Sequence, residues 1–379
     1  MSAPSSEAQP RIDDLPALDV EARSARVRAF LETQGLDALA VTTLTNVRWL
    51  TGFTGSNGAA LITDAELVLI TDGRYADQAP TELEAAGVGA DVLVMTDPVG
   101  GILEAAATCT RLGLEADNIS WADQRRLAEQ AGALELVPTT DALVALRATK
   151  DSGELARIRA AAAITDATLA SVRPMLAESP TERDIAFALD QGLRLRGATS
   201  PAYETIVASG PNGALPHGRP SERRVQEADL IVIDVGAVVD GYRSDMTRTF
   251  VVGEPTAAQQ RQLDVVLEAQ RAGVATVKAG VDAKTVDAAC RDVITDAGWA
   301  DAFTHGTGHG VGLDIHERPR VNSRTSDVLE AGMVVTVEPG VYLPGIGGVR
   351  WEDLLSVTDA GAEVLTTSAK QPVVENTAP

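Results

Sequence analysis

Residues 230–235 read Leu-Ile-Val-Ile-Asp-Val, an apolar run with a carboxylate inside it. A short continuous apolar run is the pattern of a buried strand. An ionised carboxylate in such a place is costly unless it is paired or bound to a cation. Any fold open to this chain must therefore bring a compensating charge to Asp234. The same tension recurs at Asp245, beside the strand pattern 246–252. It recurs again at Glu338, at the end of the apolar stretch 334–338 and before Pro339-Gly340, and at Glu352 in the strand pattern 351–357.

Histidine sharpens the picture. All four histidines, His217, His305, His309 and His316, lie in the C-terminal half, and the last three share the motif His305-Gly306-Thr307-Gly308-His309-Gly310-Val311-Gly312-Leu313-Asp314-Ile315-His316-Glu317. A chain this sparing with imidazole that then clusters it between glycines is using it for chemistry, because imidazole is the commonest metal ligand and titrates nearest neutral pH. Singly, the acids are unremarkable: an Asp at a strand end reads as a turn cap or ion-pair partner, and Glu-Pro-Gly as a turn. Together, Asp234, Asp245, His309, Glu338 and Glu352 make five candidate ligands. This oxygen-rich set favours Mn²⁺, Fe²⁺, Co²⁺ or Zn²⁺ with bridging carboxylates over a structural zinc site built on thiolates. Four negative charges match two divalent ions, a centre able to activate water and polarise a substrate carbonyl.

Composition narrows the class. A length of 379 residues suggests two or three domains. With 45% apolar and 23% charged residues the chain reads as an ordinary globular protein. A net charge of −22 argues against nucleic acid as partner, since binding it relies on Lys and Arg neutralising phosphates. No apolar segment reaches the ~18 residues needed to span a membrane. The polar, proline-bearing stretch 1–19 lacks a basic start followed by an apolar run, so it reads as a disordered leader and not a secretory signal. The two cysteines, Cys109 and Cys290, both fall in apolar helical patterns and are expected to be buried and unreactive. These features point to a cytoplasmic protein.

Along the chain, helical patterns at 20–35, 101–109 and 121–131 alternate with strand patterns at 36–42, 58–63, 67–71 and 91–95, which predicts an α/β domain over 20–146. The pattern breaks near residue 147, and a second domain runs over 147–379. It opens with a long helix, 152–177, that Pro174 kinks or ends early. Ser179-Pro180-Thr181-Glu182 predicts the next helix start, with Ser179 as N-cap, Pro180 at N1 and Glu182 closing a capping box. Two further helices carry Leu263, Val266, Leu267, Val274 and Val277, then Val286, Cys290, Val293 and Ile294.

The order and spacing of Asp234, Asp245, the His309 motif, Glu338 and Glu352 resemble the pita-bread metallopeptidases, the family of methionine aminopeptidase, Xaa-Pro aminopeptidase, prolidase and creatinase. The resemblance covers about residues 150–366. It implies an α/β (α+β) protein: a creatinase-like N-terminal domain followed by a pita-bread catalytic domain whose two halves enclose two divalent metals, Mn²⁺ first among them. It implies that Asp234 chelates one ion, that Asp245 and Glu352 bridge the pair, and that His309 and Glu338 complete the second. Glu338 is also implied as proton shuttle, His217 as a catalytic substrate contact and His316 as the donor that polarises the scissile carbonyl. His305 and Arg350 are implied to line the proline side, although Arg350 could instead pair with a ligand carboxylate and His305 could be structural. The segments 46–56 and 71–75 resemble the N-terminal domain of Xaa-Pro aminopeptidases, which would cover the site or dimerise the chain. The expected activity is removal of an N-terminal residue before proline by a homodimer acting on proline-containing peptides. The alternative is a prolidase confined to dipeptides, and a more distant one is an inactive interaction module of the same fold.

Overall fold

A computed structural model describes residues 15–375, so most of the expected leader lies outside the described residues, and 15–19 have no regular secondary structure. The described chain divides into two compact units, one of Ala17–Arg147 and one comprising residues 148–375 together with residues 15–16.

The first unit contains α1 (Val20–Gln34), β1 (Ala38–Val41), α2 (Leu44–Thr51), β2 (Gly58–Thr63), β3 (Leu67–Thr71), α3 (Gln78–Ala85), β4 (Asp91–Val94), α4 (Gly101–Ala105), β5 (Arg111–Glu115), α5 (Trp121–Gln130), β6 (Glu135–Thr139) and α6 (Ala142–Ala148). Its six strands form one mixed sheet in the order β4-β3-β2-β1-β5-β6. Here β1, β2 and β3 pair antiparallel, and β4, β5 and β6 add in parallel. The helix α2 overlaps the first part of the segment 46–56. It forms because Trp49, Val47 and Leu50 bury and Gly52 ends it in a left-handed conformation. Cys109 departs from expectation. The helix α4 stops at Ala105, so this thiol is only half-buried and lies outside any helix.

The second unit opens with α7 (Ser152–Val172), whose capping box joins Asp151 and Glu154, and a 3₁₀ segment follows over Arg173–Glu178 with Pro174 in its first turn. Pro174 therefore ends the α-helix early, since it has no N–H to give the ladder. The next helix, α8 (Glu182–Leu195), starts two residues later than expected. Thr181 is its N-cap and Asp184 closes the capping box, while Ser179 takes a left-handed conformation at the end of the preceding 3₁₀ turn. The correction has a physical reason: Asp184 satisfies the cap reciprocally, which leaves the Glu182 side chain free to turn inward.

The strands β7 (Ser200–Pro201), β8 (Ile206–Ser209), β9 (Leu230–Asp234), β10 (Ala237–Val239), β11 (Tyr242–Arg243) and β12 (Thr247–Val252) follow, then α9 (Ala257–Thr276) and α10 (Ala283–Asp296). The chain continues with β13 (Gly308–Gly310), β14 (Glu317–Val321), β15 (Val334–Val337), β16 (Gly340–Leu343), β17 (Gly347–Arg350), β18 (Asp353–Thr358), β19 (Gly361–Val364) and β20 (Val373–Val374). Two larger sheets result, β20-β12-β9-β8 and β14-β13-β15-β18-β19. Each has its own pair of helices. Ile164, Leu169, Ile185 and Leu189 from α7 and α8 share a core with Ile231, Ile233 and Phe250. Leu263, Val266, Val286 and Ile294 from α9 and α10 share another with Val335, Val337 and Leu355. Each such side chain removed from water stabilises by roughly 1.5–3 kcal/mol. Among the described residues no helix is long and apolar enough to cross a membrane.

Candidate functional site

The four acids lie at or beside strand ends, and the histidine lies within a short strand. Asp234 is the last residue of β9, paired with Thr247 on one side and Ile206 on the other. Asp245 lies in the link between β11 and β12, and Glu352 directly precedes β18. Glu338 follows β15, where its N–H donates to Thr307 O at 2.8 Å. His309 sits in the middle of β13 between two glycines. A Cβ on Gly308 would stand 2.1 Å from Thr336 O, and one on Gly310 would stand 2.2 Å from Arg318 O. The Gly-His-Gly sequence therefore lets β13 press between its neighbours while displaying a single side chain.

These ends converge on one cavity of about 490 Å³, lined by His217, Asp234, Asp245, His305, His309, His316, Glu338, Arg350 and Glu352. All nine positions singled out in the sequence thus meet in one place. Tyr203, Arg219, Arg320 and Asn322 join them in the lining. Ligand atoms of Asp245, His309 and Glu352 lie within 4.8 Å of one another, and all three residues are buried. His309 Nε2 is 3.3 Å from Glu338 Oε1 and 3.5 Å from Asp245 Oδ2.

Electrostatics shows that this cluster is built around missing positive charge. Glu352 is 1% exposed; its Oε2 accepts from Thr247 Oγ1 at 2.7 Å, but its Oε1 is buried with no partner. An orphaned buried carboxylate oxygen is costly unless a cation or proton meets it. Burial, then Asp234 and Glu338, push the Asp245 carboxyl well above the ordinary range, and burial with Asp245 and Glu338 does the same to Glu352. His309 Nδ1 faces Gly310 O at 3.1 Å, a group that can only accept, so Nδ1 carries the proton. Its Nε2 then points a lone pair at two carboxylates, which is repulsive unless a proton or metal cation lies between. Without metal a proton does so: burial pulls His309 down, but the Glu338 carboxylate outweighs it and holds the imidazole above its usual range. Burial raises Glu338, yet His309 outweighs that too and brings it down to about 2. The donor set, the orphaned oxygen and the excess of carboxylates all fit divalent cations.

Arg350 is the permanent cation against the cluster. Its Nη2 donates to Asp234 Oδ2 at 2.7 Å, Nε to Thr247 Oγ1 at 2.9 Å, and Nη1 to Tyr342 Oη at 2.8 Å and Pro216 O at 3.1 Å. With four partners of its own it is engaged within the protein, the arrangement of the carboxylate-pairing alternative. His305 continues the chain. Its Nδ1 donates to Gly306 O at 2.7 Å, so Nε2 accepts from Tyr342 Oη at 2.9 Å, and burial holds the ring below its usual pKa and neutral. His316 lies edge-on to His309 with ring centroids 4.4 Å apart. Burial and then the charge of His309 lower its pKa, leaving a neutral N–H donor facing the cavity. His217 lies exposed on the cavity lining, in the segment between β8 and β9.

Tyr203 escaped sequence reasoning. Its hydroxyl contacts Asp234 Oδ1 and lies 2.5 Å from Asp245 Oδ1, joining the first two acids. The signal available was scarcity, since the chain has only 4 tyrosines and Tyr203 precedes the Asp234 strand. The thiols lie outside the cavity lining. Burial pushes Cys290 up to about 12 and raises Cys109 as well, so both are poor nucleophiles. Alkylation under native conditions is expected to leave activity largely intact; rapid inactivation that substrate prevents would contradict this.

Comparison with known proteins gives three concordant findings. Residues 156–359 match the model described as metallopeptidase family M24, and residues 23–149 match the creatinase/prolidase N-terminal domain. The Xaa-Pro dipeptidase of Pyrococcus furiosus is 34% identical over 351 residues, covering 92% of this chain and 99% of that one. Among solved structures, an Xaa-Pro dipeptidase from Bacillus anthracis superposes with a TM-score of 0.90 at 37% identity, covering 94% and 100% of the two chains. An X-Pro aminopeptidase from Thermotoga maritima gives 0.84 at 33% identity, covering 93% and 100%.

Proposed function

Because the chain belongs to metallopeptidase family M24, we propose that it hydrolyses the bond between an N-terminal residue and proline, with Xaa-Pro dipeptides as its preferred substrates. The observation that carries the hydrolytic reading is the convergence of Asp234, Asp245, His309, Glu338 and Glu352, with a partnerless Glu352 oxygen, on one cavity. Preference for dipeptides is supported by the names of similar proteins, which reverses the order expected from the sequence, where the aminopeptidase stood first. The X-Pro aminopeptidase name of the Thermotoga maritima structure supports that second reading.

In this reading the five residues hold two divalent cations, manganese first, with Co²⁺, Zn²⁺ or Fe²⁺ as alternatives. When bound, such ions supply Lewis acidity to water and to the scissile carbonyl. Glu338 takes the proton of the attacking water as oxygen adds to the carbonyl carbon. It then delivers that proton to the prolyl nitrogen as the C–N bond breaks. His316 donates its N–H to the oxygen on which negative charge develops. His217 holds the substrate from the other side, His305 borders the proline, and Arg350 holds the Asp234 carboxylate in place. Two free thiols fit a reducing cytoplasm, and a homodimer completes the proposal.

The deciding assay gives the Mn²⁺-loaded protein an Xaa-Pro dipeptide and an Xaa-Pro-Yaa tripeptide side by side. A kcat/KM at least tenfold higher on the dipeptide is expected. Equal or better cleavage of the tripeptide would return the aminopeptidase to first place, and no cleavage of either would remove the Xaa-Pro reading.

A further inference from the structure

Glu182 is a fully buried carboxylate that the proposed chemistry does not use. Released from capping by Asp184, it turns inward from the first turn of α8. Its Oε1 accepts from Ser209 N at 2.7 Å and Ser209 Oγ at 2.8 Å. Its Oε2 accepts from Ser221 N at 3.0 Å and Ser221 Oγ at 2.6 Å. Asn212 Nδ2 reaches both oxygens, at 3.2 and 3.1 Å.

Ser209 ends β8 and Ser221 lies beyond Pro220, so the two stems of the segment that carries His217 meet on one side chain. Within the segment a 3₁₀ turn over Gly210–Ala214 lies against β17, and Gly218 N donates to Leu215 O at 3.0 Å, but the tip around His217 has few ties of its own. Leu215 is 61% exposed, and among the described residues the His217 ring makes no hydrogen bond. The Arg350 contact to Pro216 O is its tie to the acid cluster. A tip with neither a buried side chain nor a bonded ring is placed by the turn and stems that carry it, and here the turn's Asn212 and both stems share one anion.

We propose that Glu182 is a positioning residue for substrate: by clamping both stems of the 209–221 segment it sets where His217 stands in the cavity. The proposal rests on the reading of His217 as a substrate contact. A residue that only stabilised the fold would lower stability without caring whether His217 is present. A positioning residue acts through His217, so its effect should vanish when that imidazole is removed.

The test is a double-mutant cycle in the full-length, Mn²⁺-loaded protein, combining Glu182→Gln with His217→Ala. Gln keeps the shape but turns an amide N–H₂ toward the backbone N–H of Ser209 or Ser221 and the Asn212 amide, which can only donate. Glu182→Gln is expected to lower kcat/KM on an Xaa-Pro dipeptide by about 10- to 100-fold, mostly through KM, because small misplacements of substrate contacts cost that much. Metal content should stay at the parent value, and amide exchange should quicken across 210–221 but not in β9 or β13. In the His217→Ala background the added loss should shrink below about twofold. If His217→Ala is itself impaired and Glu182→Gln adds its full effect, the positioning role is overturned and the His217 reading survives. If His217→Ala is as active as the parent, the His217 reading falls and the proposal with it. Should Glu182→Gln fail to fold, Ser221→Ala, which deletes the 2.6 Å bond to Glu182 and the hydroxyl's contacts with Asn212 and Arg223 N but keeps the carboxylate, enters the same cycle with the same non-additivity expected and additivity overturning it.

Discussion

Exchanging Asp245 for Asn is expected to empty the site of divalent metal and to lower turnover roughly 10³-fold, the equivalent of the several kcal/mol that Lewis-acid stabilisation supplies. Asp245 stands between the Tyr203 hydroxyl on one side and His309 on the other, with a Glu352 oxygen within ligand distance. Its carboxylate is the group through which the two halves of the cluster meet. The same change should act in the opposite direction on the metal-free protein. Burial and neighbouring acids raise the Asp245 pKa above its unfolded value. A carboxyl raised in this way costs stability once the pH passes above its unfolded pKa, and that cost persists at neutral pH. Stripped of metal at pH 7, Asp245→Asn should therefore melt no lower than the stripped parent, while added Mn²⁺ should raise the melting temperature of the parent alone. Metal analysis and thermal melts of both proteins, with and without chelator, decide the matter. A variant that binds metal and turns over like the parent would refute the two-metal reading.

His316 and His309 lie ring against ring yet should fail in different ways. His316→Ala removes one donor aimed at developing charge, a loss of about 10²–10³ in turnover, and should leave metal content unchanged. His309→Ala removes the imidazole whose Nε2 faces Glu338 and Asp245. It should lose metal affinity first and activity as a consequence, partly recoverable at high Mn²⁺. Metal titrations set beside kinetics separate the two. Equal loss of metal in both variants would mean that the histidine ligand has been assigned to the wrong ring.

The chain is a metallopeptidase of two domains, and much of that was legible before any coordinates. Asp234 at the end of an apolar strand, Asp245 beside the next, and histidines between glycines are local statements. Strand patterning puts each acid at or beside a strand end, and the cost of a buried charge says that something must meet it there. The capping of α8 was legible only in part. Ser179, Thr181, Glu182 and Asp184 all suit a helix start, and local sequence cannot say which hydroxyl faces which amide. The choice of Thr181 depends on where Glu182 can find donors, and those donors, Ser209 and Ser221, are far along the chain.

By itself, then, the sequence determined the kind of chemistry: which side chains are too costly to bury without a cation, and how many negative charges must be met. Only the tertiary structure decided how those side chains share the work. It turned Arg350 onto Asp234, gave Tyr203 to two acids at once, left one Glu352 oxygen without a partner and brought both stems of the His217 segment onto Glu182. The physical reason is range. Propensity, patterning and the cost of burial act between near neighbours in sequence, whereas hydrogen-bond partners across a packed interior are set by which strands lie side by side.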